Sequence, residues 1–183
     1  MESAPVMSAP RSAVPVTGAF VLGRRWRRAV LILHIVACGA WIGIDVMVAV
    51  LVWTGRFGAD ADVRGLAYRA LAAFVVWPML TAGLVSLVSG VVLGLGTKWG
   101  LVRYWWVAVK LVLNVVLCTL IVFALEPGMD AVAAYGRDLA AGAETPSVIS
   151  TLFFPPAVSL TALTFATVLS VAKPWGRLNR RRS

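Results

Sequence analysis

Four long runs of almost entirely apolar residues dominate the chain, at roughly 29–53, 68–95, 103–125 and 147–172. Each run exceeds the roughly 20 residues that an α-helix needs to cross the hydrocarbon core of a bilayer. The chain is 60% hydrophobic and 14% charged, whereas a soluble domain is about half apolar and about a quarter charged. The sequence therefore predicts an all-α integral membrane protein with four transmembrane helices.

The charged residues lie mainly in the segments that flank and join these runs. Twelve of the seventeen basic residues fall before the first run, between the second and third runs, or after the fourth. Basic segments favour the cytoplasmic side of a membrane, and short connections make successive helices antiparallel neighbours. We therefore expect an up-down-up-down bundle in the cell membrane with both termini in the cytoplasm.

The transmembrane domain is expected over residues 24–176. A flexible cytoplasmic tail is expected at 1–23, where prolines recur without helical periodicity, and a basic cytoplasmic tail at 177–183. The net charge of +9 is concentrated at the ends of the apolar runs. The basic residues are therefore expected to meet anionic lipid at the cytoplasmic face rather than nucleic acid. A homo-oligomer or a partner in a membrane complex is left open.

Small residues at helical spacing mark two expected contacts between helices. In the second run they form one stripe, made of Gly83, Ser86, Gly90 and Gly94, and in the first run Gly39 and Gly43 form a pair. Lipid provides no hydrophobic drive for helix association, so small residues that allow close approach favour helix contacts. We predict a packing seam at the stripe. For the pair, the alternative is the general frequency of glycine in membrane helices.

Three ionisable residues, His34, Asp45 and Lys110, lie inside the predicted spans. A charge near the bilayer centre costs at least about 2.5–3.5 kcal/mol, so such groups usually face protein or water. At about 100° per residue, each belongs to a polar stripe on one helix face. The first helix carries His34, Cys38, Trp41 and Asp45, and the third carries Arg103, Trp106, Lys110 and Asn114. Both stripes are predicted to point into the bundle.

The depth of these residues along their helices adds two expectations. His34 and Lys110 lie at similar distances from the cytoplasmic ends of their helices, so they could meet. Asp45 lies nearer the outer end, and proline at that depth in the fourth span would free backbone carbonyls. We therefore predict an outer polar layer that could hold water or a small ligand, made of Asp45, Ser150, Thr151, Pro155 and Pro156.

Each ionisable residue also has a purely structural interpretation. Lys110 is near enough to the inner interface for its ammonium group to snorkel out of the hydrocarbon. His34 could serve only as a hydrogen-bonding group inside the bundle. Asp45 has too short a side chain to snorkel, but it could pair with Arg69 or Trp41.

The chain resembles an uncharacterised family of small integral membrane proteins of actinobacteria in three segments: LHIVACGAWIG (Leu33–Gly43), GLGTKWG (Gly94–Gly100) and RYWWVAVKLVL (Arg103–Leu113). Over roughly residues 29–126, its helices are also similar to the copper-resistance protein D superfamily and, more remotely, to the haem-dependent protoporphyrinogen oxidase of bacteria. The resemblance implies that His34 ligates haem, with Trp106 and Lys110 nearby. The chain departs from that pattern because it has one histidine.

The sequence contains no Cys/His metal cluster, phosphate-binding loop or nucleophile–base motif. No enzymatic activity, metal or cofactor is therefore predicted from the residues themselves. The first hypothesis is a multi-pass membrane protein with an accessory or transport-related role. The alternatives are a haem-linked membrane oxidoreductase with His34 as ligand, and a small ion or proton channel or carrier that uses Asp45 and Lys110.

Overall fold

The computed structural model describes residues 23–96, 104–143 and 150–172, without the side chains of Ser150 and Thr151. These residues are almost all helical. The α-helices are α1 (Arg24–Phe57), α2 (Ala61–Phe74), α3 (Val76–Leu95), α4 (Trp105–Leu120), α5 (Met129–Ala140) and α6 (Phe154–Ala172). A π-helical turn (Ile121–Leu125) and a 3₁₀ turn (Glu126–Gly128) join α4 to α5, and a second 3₁₀ turn (Ser150–Phe153) precedes α6. The two predicted tails lie outside the described residues, apart from Gly23.

Four helical segments are long and apolar enough to cross a membrane: Arg24–Phe57, Val76–Leu95, Trp105–Ala140 and Phe154–Ala172. The prediction of four transmembrane helices in an all-α protein is confirmed, but several boundaries were wrong. The second candidate span begins eight residues later than expected, because residues 68–74 belong to a separate helix, α2. The helical segment of the third continues fifteen residues further, through α5.

The bundle carries apolar side chains on its outside and several polar ones inside. Phe123 and Val171 are 75% and 81% exposed, whereas Asp45 is 0% and Ser86 3% exposed. In water this arrangement would leave an unusually large apolar surface uncovered. In lipid it places each kind of side chain in a suitable environment, since polar groups within a membrane face the bundle interior.

Prolines explain two of the breaks between helices. Pro78 has no backbone N–H, so the carbonyl four residues earlier, at Phe74, loses its helical partner. This is the residue at which α2 ends, and Val75 alone separates it from the start of α3. Pro127 stands likewise in the 3₁₀ turn after the π-helical turn, where the backbone N–H of Glu126 reaches back to the carbonyl of Ile121. Both breaks lie towards the Phe57 end of the bundle.

Helices α2 and α5 pack closely against each other at that end. Their backbones cross at Gly65 and Gly136, where a Cβ on Gly65 would stand 2.5 Å from the Gly136 carbonyl oxygen. The rings of Tyr68 and Tyr135 meet edge to face beside this crossing, with centroids 5.3 Å apart. Glycine is required at both positions because any side chain would force the helices apart. This contact holds α2, which precedes the second span, against α5, which ends the third.

The predicted stripe of small residues on α3 forms the seam with α1. A Cβ on Gly83 would meet the Trp41 ring at 2.9 Å, and a Cβ on Gly90 would meet His34 Cε1 at 3.2 Å. Ser86 and Gly94 are also buried. His34 contacts Gly90 and the later Trp41 contacts the earlier Gly83, so α1 and α3 run antiparallel, as expected. The up-down-up-down order of all four spans stays a prediction.

The Gly39–Gly43 pair does not pack against another helix of the described chain. Both residues are exposed, and a Cβ at either position would meet nothing within 4 Å. The prediction of a helix contact within the bundle was therefore wrong for this pair. The physical reason is that α3 packs against the opposite face of α1, which carries His34, Cys38 and Trp41.

Candidate functional site: the Asp45 cavity

A cavity of about 540 Å³ lies between α6 and the segment that runs from α4 to α5, with α1 and α3 closing it from behind. Most of its walls are apolar, with Met79, Leu117, Ile121, Leu125, Val132 and Phe154 among the lining residues. The polar side chains in the lining are those of Asp45, Tyr135 and Ser159. We refer to this space as the Asp45 cavity.

Asp45 is fully buried at the wall of this cavity. Ser159 Oγ on α6 donates a hydrogen bond of 2.6 Å to Asp45 Oδ2. The other oxygen, Oδ1, has no hydrogen-bond partner among the residues that the structure describes. A buried polar atom without a partner is rare in proteins and calls for an explanation such as a bound ligand or a functional role. Asp45 therefore has one oxygen held by Ser159 and one buried oxygen without a partner among the described residues.

Irregular backbone surrounds the carboxyl group. The π-helical turn supplies Ile121, Ala124 and Leu125 to the cavity wall, and the first turn of α6 supplies Pro155 and Pro156. A π-helical turn inserted in a helix is frequently found at functional sites. The prolines were expected inside a span that began at 147. They stand instead in the first turn of α6, where a missing N–H leaves no intrahelical bond unmade.

Trp41 separates the Asp45 cavity from the other polar residues of α1. Its side chain is 0% exposed, and its ring packs against Gly83. A Cβ on Gly83 would lie 2.9 Å from the Trp41 ring and 2.9 Å from Cys118 Sγ. Its Nε1 has no hydrogen-bond partner among the described residues. The bundle is therefore tightly packed one helical turn from Asp45.

His34 begins a network of polar side chains on the far side of Trp41. His34 Nδ1 lies 3.0 Å from the Ser86 carbonyl oxygen and 2.9 Å from Ser89 Oγ on α3. A carbonyl oxygen only accepts, so in the neutral ring Nδ1 carries the proton and Nε2 is an acceptor. Nε2 faces Cys38 Sγ at 3.7 Å.

The network continues from α1 across α3 to α4. Cys38 Sγ and Ser86 Oγ are 3.1 Å apart, and Asn114 Nδ2 donates to Ser86 Oγ at 3.3 Å. Cys118 Sγ donates to Asn114 Oδ1 at 3.5 Å. We call these six residues the His34 network: His34, Cys38, Ser86, Ser89, Asn114 and Cys118. It joins three helices at the depth where the small-residue stripe brings their backbones together.

Lys110 lies in a separate polar contact. Its Nζ donates to Ser170 Oγ on α6 at 2.9 Å and stands 4.6 Å from the centre of the Trp106 ring, within the range of a cation–π interaction. That His34 and Lys110 meet stays a prediction, since the hydrogen bonds described for the two residues go to different helices. Residues Ser86 and Ser89 of α3 bind His34, whereas α6 binds Lys110.

The outer polar layer is present in part. Asp45, Pro155 and Pro156 line the same cavity, as predicted. The side chains of Ser150 and Thr151 lie outside the described residues. The hydrogen-bond partner of Asp45 is Ser159, not Arg69 or Trp41. Sequence reasoning missed Ser159, although it lies one helical turn from Pro156 and so shares its face.

The described residues include no group of three or more His, Cys, Asp or Glu side chains placed to hold a metal ion. His34 does show one feature of a metal ligand, since a donor contact from one ring nitrogen to a carbonyl is how proteins orient such an imidazole. A metal would bind Nε2, which faces Cys38. Haem could therefore fit only if Cys38 gave way.

Comparisons with protein-family models, with curated proteins and with solved structures found no match. The resemblance to the actinobacterial membrane-protein family and to the copper-resistance and oxidase relatives therefore stays a prediction from the three segments that carry it.

Proposed function

We propose that this protein is a membrane-embedded carrier or accessory transport component that binds a small, largely apolar molecule in the Asp45 cavity. One observation carries this proposal: a cavity of about 540 Å³ with mostly apolar walls contains a fully buried carboxyl group with one unpartnered oxygen. Small-molecule sites are typically about 300–1,000 Å³, mostly apolar, with a few polar groups that fix the ligand's orientation. The Asp45 cavity has this size and composition.

The proposal places the protein in the cell membrane with both termini in the cytoplasm. It rests on the basic cluster Arg24, Arg25, Arg27 and Arg28, whose side chains are all exposed at one end of α1. Asp45 follows this cluster by about 25 Å along α1. In a hydrocarbon core of about 30 Å, that depth is within the outer leaflet. An apolar ligand would then enter from the lipid or from the outer aqueous side.

A carrier fits the packing better than an open ion channel through Asp45 and Lys110. Both residues contact α6, through Ser159 and Ser170, at points about 16 Å apart along the helix. Between them, Trp41 is fully buried and packs against α3 at Gly83. Transport along this route would therefore have to pass the tightly packed Trp41.

A haem-linked oxidoreductase is the second candidate, supported by the contact of His34 Nδ1 with the Ser86 carbonyl. A visible spectrum of the protein purified in mild detergent tests it. A Soret band that disappears in His34→Ala is the expected result for haem ligation. A colourless wild-type protein that stays colourless when haem is added would exclude it.

Cavity filling tests the proposed function directly. The protein in lipid nanodiscs is heated with neopentylbenzene, a neutral apolar probe, or with benzyltrimethylammonium, a cation of the same shape. A ligand at a hundredfold excess over its Kd should raise Tm by roughly 5–10 °C. Ala124→Trp, which places an indole in the Asp45 cavity, should abolish the rise.

The matched control is Ala40→Trp, because Ala40 lies on the exposed face of α1. This variant should respond to the probes as the wild type does. The proposal fails if neither probe raises the Tm of the wild type by more than it raises the Tm of Ala124→Trp, because the Asp45 cavity is then not a binding site.

A further inference from the structure

We propose that the ligand of the Asp45 cavity is a monovalent organic cation with an apolar body, and that it binds in exchange for a proton on Asp45. This inference rests on the proposed function and adds the charge class of the ligand and the accompanying proton movement. Four features of the cavity carry it: its charge balance, the geometry of its carboxyl group, its size, and its walls.

Among the described residues that line the cavity, none offers Asp45 a positive charge. Their side chains include no Lys, Arg or His. Three basic residues of α1 and α2 have other contacts: Arg64 Nε donates to the Gly55 carbonyl at 3.1 Å, Arg56 stands over the ring of Phe57, and the Arg69 side chain packs at Gly136 of α5. An isolated ionised carboxylate in apolar surroundings is very unfavourable. The carboxyl group must therefore be neutralised by a proton or by a bound cation.

The hydrogen bonds of the carboxyl group leave one site for that proton or cation. Ser159 Oγ holds Oδ2 at 2.6 Å, which fixes the orientation of the group. Oδ1 is buried and unpartnered among the described residues. A proton on Oδ1 neutralises the carboxyl group, and an ionised Oδ1 can accept from, or lie against, an ammonium group. The two states exclude each other, because a proton on Oδ1 removes the negative charge that attracts the cation.

Asp45 is the one carboxyl group among the described residues that line the cavity. The described lining contains one further titratable side chain, Tyr135 on α5, whose ring packs on Tyr68. From α3 the cavity receives Met79, and from α6 it receives prolines, Val158 and Ser159. Glu126 stands in the adjoining 3₁₀ turn but is exposed and does not line the cavity. Asp45 is thus the acidic group that governs ligand charge.

One carboxylate in apolar walls selects a monovalent, poorly hydrated cation. Divalent metal ions take several oxygen ligands, usually including more than one carboxylate or retained water molecules. The Asp45 cavity supplies one carboxylate and one hydroxyl group near it. Its volume of about 540 Å³ and its apolar lining suit a ligand with a bulky hydrocarbon body. The rings of Tyr135 and Phe154 can face the cationic centre of such a ligand.

The binding step balances in atoms and charge. Asp45 in its protonated form loses the proton from its carboxyl oxygen to the solvent, and the carboxylate then pairs with the cation. No covalent bond forms, and one proton leaves for each cation that enters. Over the pH range in which the empty site holds its proton, the apparent affinity for the cation should rise about tenfold per pH unit.

The test compares benzyltrimethylammonium with neopentylbenzene in the wild-type protein, at several values between about pH 5.5 and 8.5. The quaternary ammonium is used because it cannot itself lose a proton. We expect its affinity to rise about tenfold per unit through part of this range, with release of about one proton, measured by calorimetry in buffers of different ionisation enthalpy. The affinity of the neutral isostere should not rise with pH.

Two variants locate the effect. Asp45→Asn should lose the preference for the cation and its pH dependence while still binding neopentylbenzene. Asp130→Asn, which removes an exposed carboxyl on α5 outside the cavity lining, should behave as the wild type. The wild-type pH series decides the matter even if Asp45→Asn does not fold.

The possible failures are distinguishable. If both probes bind equally well at every pH, the cation-for-proton exchange is overturned while the proposed cavity function stands. If the preference for the cation survives in folded Asp45→Asn, the assignment to this carboxyl group is wrong. If neither probe binds, the proposed function itself is overturned.

Discussion

Substitution of Gly65 or Gly136 by alanine tests the close crossing of α2 and α5. A Cβ on Gly65 would lie 2.5 Å from the Gly136 carbonyl oxygen and 3.2 Å from the Ala140 nitrogen. A Cβ on Gly136 would lie 2.8 Å from the Gly65 carbonyl oxygen. Ordinary contact distances are about 3.5 Å or more, so the helices would have to separate by about 1 Å. The obstacle in both cases is backbone, which cannot rotate away.

The expected loss of stability follows from that separation. Forcing an extra methyl group into a well-packed contact typically costs about 1–3 kcal/mol. Alanine also favours the helix over glycine by about 0.8–1.0 kcal/mol, which offsets part of the loss. We therefore expect a net loss of up to about 2 kcal/mol for each single variant. The double variant should lose less than the sum, because a single separation of the helices relieves both clashes.

The assay is reversible unfolding of the protein by SDS in mixed micelles, followed by circular dichroism and tryptophan fluorescence. The matched control is Gly39→Ala, since a Cβ on Gly39 meets nothing within 4 Å. Its stability should equal or exceed that of the wild type. The reasoning would be refuted if Gly65→Ala and Gly136→Ala were as stable as Gly39→Ala, since α2 and α5 would then not approach as closely as described.

Three further predictions concern the polar contacts and the orientation. Ser159→Ala removes the donor to Asp45 Oδ2 at 2.6 Å and should cost about 1–3 kcal/mol in the SDS assay; an unchanged midpoint would contradict the contact. Lys110→Met removes the hydrogen bond to Ser170, so amide hydrogen exchange should become faster near Ser170 in α6 but not near Ser159. An equal change in exchange rate along the whole of α6 would contradict this prediction. Asp60→Cys, in a background without the native cysteines, should react with an impermeant maleimide added outside intact cells; labelling only after lysis would reverse the proposed orientation.

The number and nature of the spans could be predicted because hydrocarbon imposes length and composition on a crossing helix. The boundaries of the second and third spans could not be read from hydropathy alone. Residues 129–140 lie between the third and fourth apolar runs and carry three charges, yet their buried residues follow helical spacing: Met129, Val132, Tyr135, Gly136 and Leu139. That periodicity was visible in the sequence and would have indicated α5.

The polar stripes on the first and third helices did predict which side chains lie between helices. Their partners could not be predicted, because helix order around the bundle is not encoded in the spacing within one helix. His34 contacts the Ser86 carbonyl oxygen and Asn114 donates to the Ser86 hydroxyl group, so both have a partner on α3 that their own spacing did not indicate. Ser159 gave no signal of its own, since isolated serines are common in membrane helices.

The length of α1 makes this protein sensitive to the thickness of its bilayer. Its 34 residues extend over about 51 Å, roughly 20 Å more than the hydrocarbon core of a typical membrane. A helix longer than the core tilts, projects into water, or thickens the lipid around it. Asp45 lies only a few ångströms inside the proposed outer boundary, so longer acyl chains would submerge it further and shorter ones would bring headgroups and water towards it. The acyl-chain length of the lipid should therefore change how tightly Asp45 holds its proton or cation.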